Sequence, residues 1–122
     1  MASILLFGLD YDLETALARI LRQMNHTVRV AGSLAAALQE TGAQILFAGG
    51  DRDDYGETIR LLVAKRPATA VVVVNRLPEN GRWLDALELG AADYCGAPFE
   101  RVQIQWLVEG VLRGQSIRKE AA

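Results

Sequence analysis

The sequence predicts a doubly wound α/β domain built on a parallel β-sheet. Apolar runs of strand length alternate five times with segments of helical period, which is the pattern of successive βα units. The run from Ala70 to Val74 has no polar alternation and is rich in β-branched residues, as expected for a central parallel strand covered on both faces. At 122 residues the chain is long enough to form one such domain with its own core.

Three strands and three helices are predicted before the Val-rich strand. The strands cover Ser3 to Phe7, Thr27 to Val30 and Gln44 to Ala48. The helices run from an N-cap at Asp12 to about Met24, from a cap at Ser33 through Glu40, and from Glu57 to Arg66, where Pro67 forces the stop.

Two further helices and one strand are predicted after it. A loop over Leu77 to Gly81 leads to a short helix over Arg82 to Leu89, which Gly90 closes with a left-handed cap. The last strand covers Asp93 to Gly96. The final helix begins at Pro98 and Phe99 and ends at Gly114. The chain is therefore expected to divide into a domain over residues 1–114 and a polar tail or linker over residues 115–122.

Composition and charge disfavour several classes of function. The formal net charge is −2 and no run of basic residues is present, so direct binding to nucleic acid is not expected. Cys95 is the only cysteine, which excludes an internal disulfide. The apolar start from Ile4 to Phe7 is too short for a signal peptide or a membrane span. A cytoplasmic setting is expected.

One stretch of the chain carries a more specific pattern. The segment Leu-Gly-Ala-Ala-Asp-Tyr-Cys-Gly-Ala-Pro-Phe, residues 89–99, precedes the final helix. Together with the five βα units and the Val-rich fourth strand, it resembles the receiver domain of bacterial two-component response regulators, over residues 3–113. The resemblance implies a flavodoxin-like (βα)5 fold, strand order 2-1-3-4-5, and a site at the carboxyl ends of the first and third strands.

The resemblance also implies which positions carry chemistry. In such receivers, two acids after the first strand hold Mg²⁺ and an aspartate at the end of the third strand accepts the phosphoryl group. A Ser or Thr ends the fourth strand, and a lysine before a proline follows the fifth. In this sequence, the acid pair falls on Gly8 and Leu9, the phosphoacceptor on Gly49, the hydroxyl on Asn75 and the lysine on Ala97. We therefore expect a degenerate receiver that has no phosphoacceptor, metal site or cofactor and is not an enzyme.

An alternative is a working phosphorelay receiver in which a displaced aspartate, Asp51 or Asp10, accepts the phosphoryl group with Mg²⁺. In-line phosphoryl transfer tolerates little misplacement, which disfavours this alternative. The two lysines, Lys65 and Lys119, are too distant in the predicted fold to replace the missing one.

The remaining loop acids are interpreted more simply. Asp12 and Asp54 are expected to cap helices, and Asp10 and Asp51 to be solvated loop charges or partners of arginines such as Arg52.

Two other features near this edge allow more than one interpretation. Arg76 is favoured as a surface charge, although it could instead pair with Asp10 or Asp51 and fill the vacant pocket. Gly49 and Gly50 could let a phosphate or a flavin approach the backbone, but a turn that needs positive φ is favoured.

Protein contact is the expected output of such a domain. We predict an interaction face formed by the helix over residues 82–89, the last strand and the final helix, with Trp83, Tyr94, Val102 and Trp106 as its residues. The partner is a second copy of the chain or another protein, and partial burial against neighbouring helices would explain either tryptophan equally well. His26 is expected to be structural or exposed rather than catalytic.

Overall fold

The fold is a five-stranded parallel sheet with helices on both faces. The computed structural model describes residues 2–40, 42–51, 55–76, 85 and 87–121, with side chains as far as Gly114. The strand order is β2-β1-β3-β4-β5, which confirms both the predicted architecture and the predicted order. The strands are β1 (Ser3–Phe7), β2 (Thr27–Ala31), β3 (Ile45–Gly49), β4 (Ala70–Asn75) and β5 (Asp93–Gly96).

Within the described residues, four helices with defined bounds connect and follow these strands. They are α1 (Tyr11–Gln23), α2 (Leu34–Gln39), α3 (Tyr55–Lys65) and α4 (Arg101–Ala121). Asp85, Leu87 and Glu88 are helical, within the range predicted for the short helix before β5. The rest of that range up to residue 86, and the loop predicted over residues 77–81, lie outside the described residues. Among the described helices, none combines the length and apolar character needed to cross a bilayer.

The core forms two layers, one on each face of the sheet. One layer joins the sheet to α1 and α4, with Leu17, Leu21, Ile104 and Val108 among its buried side chains. The other joins it to α2 and α3 through residues such as Ala37, Ile59 and Leu62. All six residues of β4 are buried, as the unbroken Val-rich pattern predicts for a strand covered on both faces.

The predicted start of the first helix and both predicted ends of the final helix are wrong. The first helix begins at Tyr11, so Asp10 holds the N-cap position and Asp12 is the second helical residue. Neither acts as the predicted cap, because the side chain of Asp10 makes no cap hydrogen bond and Asp12 is itself a helical residue. The final helix begins at Arg101 rather than at Pro98 and Phe99, and it continues through Gly114 to Ala121, since Gly114 has no left-handed conformation to end it. The division at residue 114 stays a prediction.

Other local predictions are confirmed. The hydroxyl of Ser33 accepts a hydrogen bond of 3.1 Å from the backbone N–H of Ala36, as an N-cap does. Gly90 has φ of +100°, the left-handed conformation predicted for it. His26 is structural: its Nδ1 accepts a hydrogen bond of 3.0 Å from the backbone N–H of Ala2, which ties the turn before β2 to the start of β1.

Candidate functional site

The carboxyl ends of β1, β3 and β4 lie side by side at one edge of the sheet. Phe7 at the end of β1 pairs with Ala48 of β3, and Gly49 pairs with Val74 of β4. The residues that follow these strands therefore meet at the switch point of the strand order, where ligand sites of such sheets form. This is the edge where the family resemblance places its chemistry.

Gly49 has no space for a side chain. A Cβ atom there would overlap the carbonyl oxygen of Gly8 and lie 2.8 Å from its carbonyl carbon, which are backbone atoms that cannot swing aside. A Cβ atom at Gly50 would lie 2.6 Å from Oδ1 of Asn75 and from Cγ1 of Val73. Neither glycine has positive φ, so the predicted turn is wrong. These glycines instead allow the close approach of neighbouring strand ends.

Gly8 and Leu9 offer no side-chain oxygen to a cation. Gly8 has φ of +75°, a conformation that residues with a Cβ atom adopt at a cost of about 1–2 kcal/mol. The side chain of Leu9 is partly buried and packs against the core layer between the sheet, α1 and α4. Of the two positions expected for metal-binding acids, Gly8 thus allows a left-handed backbone conformation and Leu9 contributes to the core.

Asn75 and Asp51 are joined to each other. Asn75 is 1% exposed, and its Nδ2 donates a hydrogen bond of 2.9 Å to Oδ1 of Asp51. The other carboxylate oxygen of Asp51 accepts a bond of 2.9 Å from the backbone N–H of Arg76. The amide of Asn75 does donate a hydrogen bond, as expected, and its acceptor is this loop carboxylate. Both oxygens of Asp51 are engaged by the end of β4.

The side chain of Arg76 reaches across the edge to the start of α1. Its two terminal nitrogens each lie 2.8 Å from one carboxylate oxygen of Asp12, and one of them also lies 2.9 Å from Oδ2 of Asp10. The hydrogen bond from this guanidinium lowers the pKa of Asp12 from 3.8 to about 2. The interpretation of Arg76 as a surface charge alone is therefore wrong, although its side chain remains 45% exposed.

The lysine position is occupied by a methyl group. The backbone N–H of Ala97 donates a hydrogen bond of 3.0 Å to the carbonyl oxygen of Asn75, and the peptide bond between Ala97 and Pro98 is cis. Lys65 is exposed in the last turn of α3, and the side chain of Lys119 lies outside the described residues.

These residues do not fit the Mg²⁺ that the fold resemblance implies. Position 49 has no room for a side chain, each carboxylate oxygen of Asp51 accepts a hydrogen bond from the end of β4, and Asp10 and Asp12 face the guanidinium of Arg76. Within the described part of the chain, no group of three or more His, Cys, Asp and Glu side chains could hold a metal ion. Asp53, Asp54 and Arg52 lie outside the described residues.

The glycine edge also suits an anionic ligand poorly. The backbone N–H of Gly50, which a phosphate would need, donates a hydrogen bond of 2.8 Å to the carbonyl oxygen of Val74. The Gly49-Gly50 pair therefore continues the pairing of β3 with β4.

The residues of the predicted interaction face differ in exposure. Trp106 is 68% exposed and Val102 is 53% exposed, one helical turn apart on the outer side of α4. Tyr94 is partly buried and packs against the core layer under α2 and α3, on the opposite face of the sheet. Trp83 lies outside the described residues.

A cleft of about 400 Å³ adjoins Trp106, between β5 and α4. Its lining includes Phe99, Gln103 and Leu107. Cys95 also lines this cleft, but burial raises the pKa of its thiol to about 12, so it is not a reactive nucleophile at neutral pH. The cleft could therefore accommodate a side chain of a partner beside the exposed indole of Trp106, but these lining residues offer no reactive group.

The pairing of Arg76 with Asp10 and Asp12 is the feature that sequence reasoning undervalued. The partners are 66 and 64 residues apart, so no local spacing announces them. The sequence did offer a signal from position. Arg76 directly follows the fourth strand and Asp10 and Asp12 follow the first strand, and the predicted strand order places the carboxyl ends of these two strands near each other.

Solved structures similar to this chain include response regulators and their receiver domains. NtrX from Brucella abortus in complex with ADP superposes with a TM-score of 0.88 at 21% identity, covering 98% of this chain and 28% of that one. The BeF3-activated DrrB receiver domain gives 0.77 at 23% identity, covering 93% and 98%. A response regulator from Thermotoga maritima gives 0.83 at 17% identity, covering 93% and 98%.

The chain thus spans little more than a quarter of the NtrX chain and nearly the whole of the other two chains. Neither a protein-family model nor a curated protein matches the sequence. The chain has the fold of a response-regulator receiver domain.

Proposed function

We propose that this chain is a receiver-like signalling domain that works by protein contact, without accepting a phosphoryl group. It binds a partner rather than catalysing its own modification, and it needs neither Mg²⁺ nor another cofactor. By likeness to response regulators, it acts in the cytoplasm.

The crowding around Gly49 is the observation that carries this proposal. A carboxylate at this position would need a Cβ atom where the carbonyl group of Gly8 lies. The nearest acid along the chain, Asp51, accepts one hydrogen bond on each carboxylate oxygen, and these bonds hold it at the end of β4, two residues beyond the phosphoacceptor position. The lack of space at position 49 and the hydrogen bonds of Asp51 therefore both argue against phosphoryl transfer at this edge.

The outer side of α4 supports the proposed contact with a partner. Trp106 and Val102 expose apolar surface at one turn's spacing, and the cleft between β5 and α4 lies beside the indole. Exposed tryptophans are enriched among residues that dominate the binding energy of interfaces. A second copy of the chain is the simplest partner, because it offers the same indole and the same cleft in return.

Incubation with a small phosphodonor and Mg²⁺, followed by intact mass measurement, tests the absence of phosphoryl transfer. We expect no adduct, while a receiver that retains its acids should be modified in parallel. A stable adduct that disappears in Asp51→Ala or Asp10→Ala would contradict the proposal and favour the displaced-aspartate receiver.

Sedimentation velocity over a concentration series tests the contact surface. We expect Trp106→Ala to weaken self-association about tenfold or more, as loss of a central aromatic contact does. Tyr11→Ala is the matched control, because Tyr11 is 81% exposed on α1 rather than α4. An unchanged monomer–dimer balance in Trp106→Ala would remove this surface as the dimer contact.

A further inference from the structure

The residues that directly follow β1, β3 and β4 meet at the carboxyl edge of the sheet. Arg76, which follows β4, contacts acids that follow the other two strands. Asp10 and Asp12 follow β1, Asp51 follows β3, and Arg76 follows β4. Because β1, β3 and β4 are neighbours in the sheet, these residues are adjacent despite their separation in sequence.

The backbone and the side chain of Arg76 contact acids of different elements. Its backbone N–H donates to Asp51, which fastens the end of β4 to the loop after β3. Its guanidinium makes two contacts of 2.8 Å with Asp12 and one of 2.9 Å with Asp10, which fasten the end of β4 to the start of α1. A planar guanidinium is suited to this paired geometry, whereas the ammonium of a lysine is not.

A cation near the acids reduces the repulsion within the cluster. Asp10 and Asp12 lie at the start of α1 and Asp51 lies after β3, and the guanidinium of Arg76 places positive charge beside the first two. The lowered pKa of Asp12, for which the hydrogen bond from Arg76 is the largest cause, agrees with this arrangement. The other described ion pair, between Arg29 and Glu40, involves one acid only.

We propose that Arg76 is a tethered cation that clamps the end of β4 to the start of α1, in place of a metal ion and a phosphoryl group. The inference deepens the proposed function, because it names what holds the edge of the sheet in one arrangement when no modification occurs. Salt, rather than phosphorylation, would loosen this contact, since the paired side chains are exposed to solvent.

Amide hydrogen exchange measured by NMR on the full chain tests the clamp. In Arg76→Gln, we expect exchange at the amides of residues 9–14 to be about threefold or more faster, as loss of an exposed paired network allows. Exchange at Gly50 and Asp51 should change much less, because the backbone N–H of Arg76 and the amide of Asn75 still hold Asp51. Arg76→Lys should resemble Arg76→Gln more than the wild type.

Arg29→Gln is the matched control, since it removes an exposed arginine that pairs with a single carboxylate away from this edge. Carboxyl NMR titration provides the second measurement, in which the pKa of Asp12 should move from about 2 toward 3.8 in Arg76→Gln. A shifted pKa with unchanged exchange would overturn the clamp and leave an ordinary ion pair. An equal effect of Arg29→Gln, or an unmoved pKa, would overturn it as well.

The outcomes separate this inference from the proposed function. A phosphoryl adduct on the wild-type chain would defeat the proposed function whatever Arg76 does. Unchanged exchange in Arg76→Gln would defeat the clamp alone, because the crowding at Gly49 does not depend on Arg76.

Discussion

At the scale of single residues, the decisive contact is between Gly49 and the carbonyl group of Gly8. Parallel strands at this edge approach so closely that the third strand ends where only a hydrogen atom fits. Gly8 itself has φ of +75°, the left-handed conformation, where the chain leaves β1. The loss of a reactive side chain and the local packing are therefore two aspects of one backbone arrangement.

Gly49→Ala tests this packing directly. We expect the substitution to lower the free energy of unfolding by about 1–3 kcal/mol, because backbone atoms must move to admit the methyl group. Gly32→Ala is the control, since a Cβ atom there meets nothing within 4 Å. Urea denaturation of both variants provides the measurement, and equal stability of Gly49→Ala and the wild type would show that the edge is looser than described.

The sequence allowed part of this site to be predicted. The family resemblance aligned Gly8 and Leu9 with the metal-binding acids of receivers and Gly49 with the phosphoacceptor, because the matched motifs and strands determine which residues correspond. It could not reveal that Arg76 pairs with Asp12, since that pairing depends on side-chain directions of loops far apart in sequence. It also assigned Gly49 and Gly50 to a turn, because the sequence does not distinguish a glycine needed for its φ from one needed for close contact.

At the scale of elements, strands were predicted more accurately than helix ends. β4 is recognisable because burial on both faces leaves only apolar residues in its centre. The start of α1 was misplaced, because an aspartate followed by a helical pattern predicts a cap, whereas here Asp10 and Asp12 bind Arg76 instead. Gly114 did not end α4, since a glycine stops a helix only when it adopts a left-handed conformation.

Substitution by alanine should have opposite effects on stability at Gly90, which has positive φ, and at Gly110, which lies inside α4. Gly90→Ala is expected to destabilise the fold by about 1–2 kcal/mol, because φ is +100° and the new methyl would lie 2.9 Å from Cγ1 of Val63. Gly110→Ala should stabilise it by about 0.5–1 kcal/mol, since this exposed site inside α4 has open space around it. Urea unfolding measures both, and a shared sign would contradict the assigned conformations.

The turn before β2 should make stability depend on pH. Burial lowers the pKa of His26 below its ordinary 6.5, and a protonated Nδ1 could not accept the N–H of Ala2. The unfolded chain therefore binds the proton more readily, so stability is greatest above pH 6.5 and falls as the pH drops through that value. Thermal unfolding from pH 8 to pH 5 measures this slope.

His26→Asn provides the control for that slope, because an asparagine can accept the same backbone N–H without titrating. The pH dependence should flatten in this variant. A slope that persists unchanged would assign it to other groups.

At the scale of the whole molecule, two surfaces of one receiver fold differ in what they expose. The carboxyl edge of the sheet, where receivers carry out chemistry, is closed by strand contact and bridged by Arg76. The outer side of α4 keeps exposed apolar side chains at Val102 and Trp106. A domain arranged in this way is suited to constant display of a contact surface, and we propose that its activity is governed by the concentration of its partner.

Backbone amide NMR during titration with beryllofluoride and Mg²⁺ tests this account most directly. Beryllofluoride adds to the phosphoacceptor carboxylate of a receiver, and the DrrB receiver domain described above is a BeF3-activated form. We predict no saturable shift at residues 8–12, 49–51 and 75–76, or at Tyr94. Saturable shifts at those amides, abolished by Asp51→Ala, would contradict the central claim that this receiver fold signals without phosphorylation.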